Sequence, residues 1–490
     1  MSVAEIREEI LRPYTVSEGF YDEVFMNSGE IRPSYEKLYS VFNQYSPEEF
    51  KKMNESTKLS FLLQGVTFAT YTENPKGTER IFPFDLMPRI ITKNEWEILE
   101  RGLIQRNTAI NLFLQDIYND KKILRDKIVP SDLIFSSVNY NKYMVDFEPQ
   151  GNIYNHISGT DLIKHSDGQF YVLEDNVRCP SGVSYVLSNR DALKRTISNL
   201  FTSLNVQTVY DYPEALLNCM RSVSPEGVDR ANCAVLTPGI YNSAYYEHAF
   251  LAQSMGVQLV EGRDLFVDKG FLYMKTIYGP KKCDVLYRRV DDDFIDPLVF
   301  RRDSMLGVPG LMDVYRQGNV TLLNAPGTGA SDDKAVYTYI PKIIKYYLDQ
   351  EPILQNVHTY QCEIPSERDH VIQNMEELVI KPVDQSGGYG IFMGNKSTKA
   401  EREEMKAKIL SDPREYVAQP IMRLSSHSTF MEDSGEFEPR HVDLRTFTLF
   451  GKNFQHVLKG GLTRVALKKG SLIVNSSQGG GSKDTWVADM

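Results

Sequence analysis

Residues 159–182 read GTDLIKHSDGQFYVLEDNVRCPSG, and the order of their polar groups decides the fold. Two short alternating segments flank Ser166-Asp167-Gly168, the signature of a β-hairpin with the turn chemistry of a tight reversal. Asp161 stands on the first strand, and Glu174 and Asn176 stand on the second. Glu174 and Asn176 are two positions apart, so pleating sends both side chains to one face and Asp175 to the other. Adjacent strand ends can thus gather the oxygen donors of Asp161, Glu174 and Asn176. A hard cation such as magnesium takes that kind of donor set, with phosphate oxygens and water completing its shell. In isolation the segment also reads as a solvated hairpin with a terminal asparagine.

Composition narrows the setting. The chain has 490 residues, 41% hydrophobic and 24% charged, enough for two or three globular domains. Its net charge of −10 leaves no basic excess to neutralise a phosphate backbone, so nucleic acid is not an expected partner. No apolar run approaches the roughly 18 residues of a membrane span. The opening MSVAEIREEILRPY has charges where a secretory leader needs an apolar core, so a cytoplasmic location is expected. The five cysteines are scattered without zinc or redox spacing and read as reduced thiols. Cys179 lies beside the carboxylates, but no base partner for a nucleophile is identifiable.

Organisation follows from periodicity. Residues 1–135 read as mostly helical. In TKNEWEILERGLIQRNTAINLFLQDIYND (92–120) apolar residues recur at spacings of three and four behind Thr92 as N-cap. SDLIFSSV (131–138) reads as strand-like. Residues 136–205 hold the hairpin and a following helix. Residues 206–330 alternate strand and helix: ANCAVLTPG, SAYYEHAFLAQSMG and VQLVEG form one βαβ unit, and KCDVLYRRV and GNVTLLNAPG add strands. In residues 331–490, HVDLRTFTLFGKNFQHVLKGGLTRVAL (441–467) alternates like an antiparallel sheet.

Several segments suit phosphate. VIKPVDQSGGYG (379–390) carries Lys381 on a strand, then Ser386, Gly387, Gly388 and Gly390, whose backbone amides can approach phosphate oxygens closely. It matches neither the P-loop nor the dinucleotide fingerprint. Lys334 opens a helix in SDDKAVY. Gln419 lies in YVAQPIMRL, a strand whose backbone suits an adenine edge. Arg440, Arg445 and Arg464 fall in the terminal sheet, where guanidinium forks match phosphate or carboxylate. NSSQGGGSKDTW (475–486) concentrates Ser476, Ser477, Gln478 and Lys483 around three glycines. Each of these pieces also reads as ordinary surface or turn when taken singly.

Together they resemble the ATP-grasp fold, and in particular its circularly permuted type 2 family. The hairpin is similar to the metal-binding end of D-alanine–D-alanine ligases, which read Asp, hairpin, Glu-x-Asn, Pro-Gly; here Ser181 separates Pro180 from Gly182. The segments around Lys334 and Lys381 resemble the two nucleotide-binding lysine segments, and 386–390 the loop that covers the phosphates. In ordinary ATP-grasp chains the lysines come first, whereas here the metal strand does. The resemblance implies a mixed α+β and α/β architecture. Its parts would be a permuted ATP-grasp, a mostly helical N-terminal region and an inserted α/β domain like the one preceding other ATP-grasps. It further implies ATP and magnesium as cofactors and an acyl-phosphate route joining a carboxylate to an amine, with peptide-type substrates as in glutathionylspermidine synthetases. Asp161, Glu174 and Asn176 would be metal ligands. Lys334, Lys381, the 386–390 loop, Gln419 and the 476–483 loop would bind nucleotide, and Arg445, with Arg178 or Arg464, would act in catalysis. Two departures stand out: Gly159 replaces the arginine usual two positions before the first aspartate, and Gln419 replaces an acidic hinge residue. A nucleotide-binding scaffold and a phosphotransferase to a non-carboxylate acceptor are the competing readings.

Overall fold

The computed structural model describes residues 9–70, 78–385, 390–472, 474 and 479–489. In chain order, the elements that build the site begin with β1 (Phe84–Thr92), α1 (Lys93–Tyr118), β2 (Ile157–Lys164), β3 (Phe170–Asn176) and α2 (Val183–Thr196). There follow β4 (Cys233–Leu236), α3 (Tyr245–Met255), β5 (Gln258–Val260), β6 (Val285–Arg288), β7 (Thr321–Leu323) and α4 (Lys334–Tyr337). The last are β8 (Leu378–Pro382), β9 (Tyr416–Pro420), β10 (Ser426–Met431), β11 (Glu436–Gly451), β12 (Leu462–Val465) and β13 (Gly481–Ala488).

Helices dominate the stretch before residue 135, and α1 starts where the spacing predicts. Thr92 and Glu95 form a reciprocal capping box there, satisfying orphan amides of the first turn. Strands also occur in this stretch, notably β1, whose residues are buried except at Thr92. Such a continuous buried run lacks the period-2 pattern that marks a half-exposed strand. Ser131–Phe135, expected to be strand-like, is a short helix behind Pro130. A short apolar run does not separate strand from buried helix by periodicity, and Ser-Asp in the first turn favours the helix.

The hairpin packs far from its own sequence neighbours. A nine-stranded sheet runs Gln355–Asn356, β3, β2, β11, β12, β13, β1, with β10 and Phe454–Val457 also paired to β11. Thus β2 takes its hairpin partner on one side and β11 on the other, both antiparallel. Cross-strand register places Glu174 beside Asp161, Asp161 beside Arg445, and Asp443 beside Arg464. Alternation then sorts the two faces. Leu162 and Leu444 pack with Trp96, Leu99 and Leu103 of α1 in one apolar cluster. Asp161, Asp443 and Arg445 are thereby turned to the opposite face.

Four strands within residues 233–323 form a separate parallel sheet in the order β7-β6-β4-β5. The expected βαβ unit is β4-α3-β5. A third, antiparallel sheet holds β8 and β9 with Tyr360–Gln361 and Phe392–Met393 at its edges. Asn324, immediately after β7, ties the parallel sheet to the hairpin. Its Oδ1 accepts from the His156 and Ile157 amides at 2.7 and 2.8 Å, and its Nδ2 donates to the Ile157 and Val177 carbonyls at 2.7 Å each.

Asp175 faces α1, as its register requires. There it accepts a forked contact from Arg106 at 2.6–2.9 Å, with both side chains almost fully buried. Replacing Asp175 with Ala strands a buried guanidinium. Urea unfolding is expected to show a loss of about 3–5 kcal/mol, the usual cost of breaking a buried pair from one side.

Candidate active site

The face of the nine-stranded sheet opposite α1 carries a line of charge. Asp161 is fully buried and accepts from Arg445 Nε at 2.6 Å and Nη2 at 2.8 Å, and from Arg464 Nη2 at 2.8 Å. Arg464 also grips Asp443, Nε to Oδ1 at 2.8 Å and Nη2 to Oδ2 at 2.5 Å. Burial alone would push the Asp161 carboxyl up, but the two guanidiniums hold it well below the usual carboxylate range. Asp443, by contrast, is raised, chiefly by burial and against the pull of Arg464, with the Asp161 charge adding to the rise.

Glu174 completes this group. It is the direct cross-strand partner of Asp161 in the hairpin, on the same face. Two carboxyl groups side by side on one face are a donor pair suited to a cation. Asn176, on the same strand face, donates its Nδ2 to the Gly159 carbonyl at 3.2 Å, which turns its amide oxygen to other partners. No cluster of three or more His, Cys, Asp or Glu suited to a metal occurs among the described residues. A set of two carboxylates and one carboxamide falls outside that pattern, yet it fits magnesium, which favours a few oxygen donors plus water and phosphate. The juxtaposed Asp161 and Glu174 carboxyls are the feature that makes it fit.

Gly159 explains one departure of the sequence. A Cβ there would meet Pro180 Cβ at 3.0 Å and Arg445 Cδ at 3.5 Å. The stem of Arg445, from the adjoining strand, thus lies against the space that a side chain at 159 would need. Arg178 sits apart, its Nε 2.8 Å from Asp332 Oδ2. Arg440 pairs with Glu438 and the Leu467 carbonyl and does not join the group.

The lysines come from the other side. Lys381 on β8 is 8% exposed, and its Nζ donates to Gln419 Oε1 on β9 at 2.6 Å. Val379 and Gln419 are register partners, so Lys381, two residues on, shares their face. Gln419 in turn donates to Thr359 Oγ1 at 2.9 Å. Burial lowers the Lys381 ammonium to about 8, while Glu174 and Asp161 pull it up and Lys334 pushes it down. Those couplings put the lysine lobe and the carboxylates in one electrostatic neighbourhood. Lys334 opens α4 behind its N-cap Asp333, and its Nζ donates to the Gln385 carbonyl at the start of the glycine loop.

Of that loop, Ser386, Gly387 and Gly388 lie outside the described residues, as do Ser476, Ser477 and Gln478. Gly390 is described: its φ is +71°, and a Cβ would meet Pro382 Cγ at 2.8 Å, so only glycine fits. Lys483, expected in the terminal loop, is instead inside β13 and fully buried. Its Nζ pairs with Asp85 and donates to the Ser428 carbonyl at 2.8 Å, so it ties β13 to β1 and β10. The run GSKDTWVA does not alternate, because all its side chains are buried, so it carried no period-2 signal and the glycines before it read as loop.

Side chains that the sequence did not single out hold this frame. Glu247 on α3 accepts from the Gly182 and Ser184 amides at 2.7 and 3.1 Å, capping the start of α2, and meets Arg289 at 3.1 Å. Asp332 accepts from the Val177 amide at 2.6 Å besides holding Arg178. The acidic pair before Lys334 and the double arginine of YRRV were the only local signals for these contacts.

A permuted strand order, with a lysine-bearing antiparallel sheet coupled electrostatically to the carboxylates of the nine-stranded sheet, is that of an ATP-grasp architecture. Residues 88–466 match the family model for circularly permuted ATP-grasp type 2, and the chain belongs to that family. It is 50% identical to an uncharacterized protein of Synechocystis over 96% of this chain and 97% of that one. It is 37% identical to a Frankia alni protein named putative glutamate–cysteine ligase, over 95% of this chain and 54% of that one. A glutathione synthetase-like effector from Globodera pallida, in its apo form, shares the fold. Its TM-score is 0.59 at 12% identity, covering 91% of this chain and 98% of that one.

Burying the Lys381 ammonium has a readable cost. Its folded value near 8 lies below the ordinary 10.5, so the unfolded chain binds more protons between them and stability rises with pH in that window. Lys381→Met is therefore expected to stabilise the nucleotide-free protein by about 1–3 kcal/mol at neutral pH. The gain should fade as pH rises from about 8 toward 10.5. Denaturant unfolding of parent and variant across pH checks this.

Proposed function

We propose that the chain is an ATP-dependent carboxylate–amine ligase, forming an amide or peptide bond through an acyl phosphate. The observation that carries this reading is the side-by-side placement of Asp161 and Glu174, with Arg445 on Asp161, in the electrostatic neighbourhood of Lys381 and Lys334. Family membership and the ligase name of the Frankia relative support it.

In this reading Lys381 and Lys334 receive the phosphates of ATP. Lys381 leaves a neutral partner, Gln419, and gains an anionic one, which favours its charged form. Gln419 and its strand meet the adenine side. The segment of Ser386, Gly387, Gly388 and Gly390 is assigned to the phosphates of ATP, and that of Ser476, Ser477 and Gln478 to the nucleotide and the acyl phosphate. Lys483 acts at a distance, anchoring the strand that follows that segment. Asp161, Glu174 and Asn176 would hold magnesium, which would supply positive charge to neutralise the phosphate oxygens.

The reaction then balances simply. A carboxylate oxygen of the acid attacks the γ-phosphorus; an O–P bond forms, the bond to the bridging oxygen breaks, and ADP departs with that electron pair. The amine nitrogen next attacks the acyl carbon. The C–O bond breaks, and phosphate leaves with its electron pair and takes up the amine proton. Phosphoryl transfer asks for positioning and charge neutralisation more than for a protein nucleophile. Arg445, held in place by Asp161 and by the Ser181 carbonyl at 3.2 Å, supplies fixed positive charge where negative charge develops. Arg464 keeps Asp161 oriented, and Arg178 lies farther along the cleft. Burial pushes the Cys179 thiol up, which disfavours its thiolate.

Amino acids, short peptides and polyamines screened in pairs should include one that stimulates ADP and phosphate release together. ADP formation indifferent to every acid and amine would refute ligation and leave a nucleotide-binding scaffold. A stable phosphorylated product would instead indicate a phosphotransferase. With the stimulating pair, Glu174→Gln should lower single-turnover ADP formation by about 10²–10³ at saturating ATP, as loss of one preorganised electrostatic contact does. Lys381→Ala should weaken ATP binding by about 1.5–3 kcal/mol in calorimetry. Parent-like turnover in the first variant, or parent-like affinity in the second, overturns the corresponding role.

A further inference from the structure

Two segments far apart in the chain adjoin at the surface. Residues 135–148 continue from the short helix Ser131–Phe135, and residues 294–306 lie in the connection after β6. Tyr143 meets Phe300 edge to face with ring centroids 5.8 Å apart, and Phe135 meets Tyr140 in the same way at 5.3 Å. A large apolar cluster lies against them. Tyr140, Phe294, Val299, Phe300 and Leu306 pack on that cluster and are themselves only half-buried. Phe135, Val138, Tyr143, Leu298 and Met305, on the same two segments, are exposed by 50, 77, 45, 73 and 87%. Single exposed apolar side chains are ordinary. Five large ones on two adjoining segments make a patch of the kind that marks association.

Both segments have a fixed backbone. Asp296 is fully buried under its loop. Its Oδ1 accepts from the Leu298 and Gly310 amides at 2.9 and 3.1 Å, its Oδ2 from the Met312 amide at 3.0 Å, and its carbonyl from the Phe300 amide at 2.9 Å. Ser304 Oγ donates to the Phe294 carbonyl at 2.7 Å. In the other segment the Tyr140 amide donates to the Ser137 carbonyl at 3.1 Å, and the Tyr143 amide to Asn141 Oδ1 at 3.0 Å. Surface already held in one conformation loses little freedom on docking, so its apolar area counts more fully toward association. The first segment also reaches the site: Asn139 Oδ1 accepts from Arg178 at 3.3 Å, and Arg414 donates both to the Leu133 carbonyl at 3.1 Å and to Asp333, the N-cap of α4, at 2.6 Å.

Charge decides the occupant. In the loop, Arg301 is engaged by Asp303 at 3.0 Å, with Asp293 also acting on it. Arg302 is exposed and forms no ion pair among the described residues. In the adjoining segment Asp146 and Glu148 are exposed and likewise form none. The face thus carries a spare cation on one segment and spare anions on the other. A partner of a single sign meets repulsion from half of it. A two-fold axis through the Tyr143–Phe300 seam exchanges the two segments, so a second copy brings to each the charge it lacks. We infer that this face is a self-association surface, on which residues 298–306 of one copy cover residues 135–148 of its partner in an isologous dimer. Arg302 of one copy then meets Asp146 and Glu148 of the other, twice by symmetry, around an apolar centre. The inference stands apart from the ligase reading, since it concerns association and not chemistry.

Sedimentation velocity of the full chain up to about 100 µM tests this, since interfaces of standard size associate at micromolar concentrations or below. The parent should sediment as a dimer in the upper part of that range. Val138→Asp and Leu298→Asp alter exposed side chains, so thermal unfolding should stay parent-like. Each should raise the dimer dissociation constant by about a hundredfold or more, as loss of a central contact does. Leu62→Asp, at a leucine 54% exposed on the helix Pro47–Gln64, should leave it unchanged. Arg302→Glu and Glu148→Arg should each raise it about tenfold, a surface ion pair counted twice, and the double variant should recover most of that loss. A parent that stays monomeric throughout, or a dimer indifferent to Val138→Asp and Leu298→Asp, overturns the surface. A dimer that Leu62→Asp weakens as strongly, or in which the Arg302→Glu and Glu148→Arg losses compound, overturns the pairing of the two segments.

Discussion

The carboxylate of Asp161 is the constraint on which the site depends. It is buried, and it is kept ionised by Arg445 and Arg464, which lie 284 and 303 residues away in the chain. A buried charge stays in place only when its partners are complete, so strands β2, β11 and β12 cannot slide without stranding at least one ion. A one-residue slip would turn Asp161 toward α1 and Leu162 toward the cleft. The charged face and the apolar face hold each other in register. The apolar side supplies most of the stability, at about 1.5–3 kcal/mol for each large side chain fully buried. The charged side supplies the specificity of alignment.

From this point the rest of the molecule is attached by polar hubs. Asn324 stitches β7 to the base of the hairpin, and Glu247 ties α3 to the start of α2 and to Arg289. Glu23, from the N-terminal segment, grips Arg89 of β1 at 2.6 and 2.8 Å, and Arg89 reaches the Asp443 carbonyl at 3.0 Å. Lys483 and Asp85 do the same between β13 and β1. These contacts are buried and nearly complete, which suits a frame that must keep two sheets and a hairpin around one cleft. Lys381 is different: its ammonium is buried against a neutral amide, and burial lowers it to about 8. A cation left without its counter-charge in a frame otherwise well paired marks a place where an anion belongs.

Much of this was legible beforehand, and for identifiable reasons. The hairpin at 157–176, the N-cap at Thr92, the βαβ unit and the strand bearing Lys381 are written in local periodicity and turn residues, which depend on neighbours in sequence. The face assignments of Glu174, Asp175 and Asn176 follow from a period of two. Ser131–Phe135 was misread because five residues do not distinguish buried strand from buried helix, and Lys483 because a glycine-rich prelude hid the strand that carries it.

By itself, the sequence put Asp161, Glu174 and Asn176 on one hairpin, placed lysines at 334 and 381 beside strand and helix starts, and set an order of motifs that only a permuted chain could reconcile. Each of these is a matter of residue type and spacing. Only the tertiary structure decided which arginines meet Asp161, that Arg445 lies against the space beside Gly159, and that Lys381 is buried. Only it set Tyr143 against Phe300 and so joined two distant segments in one apolar face. The reason is physical. Those facts rest on contacts between segments separated by tens to hundreds of residues, where burial and the partner across the gap, and not local propensity, set charge, orientation and exposure.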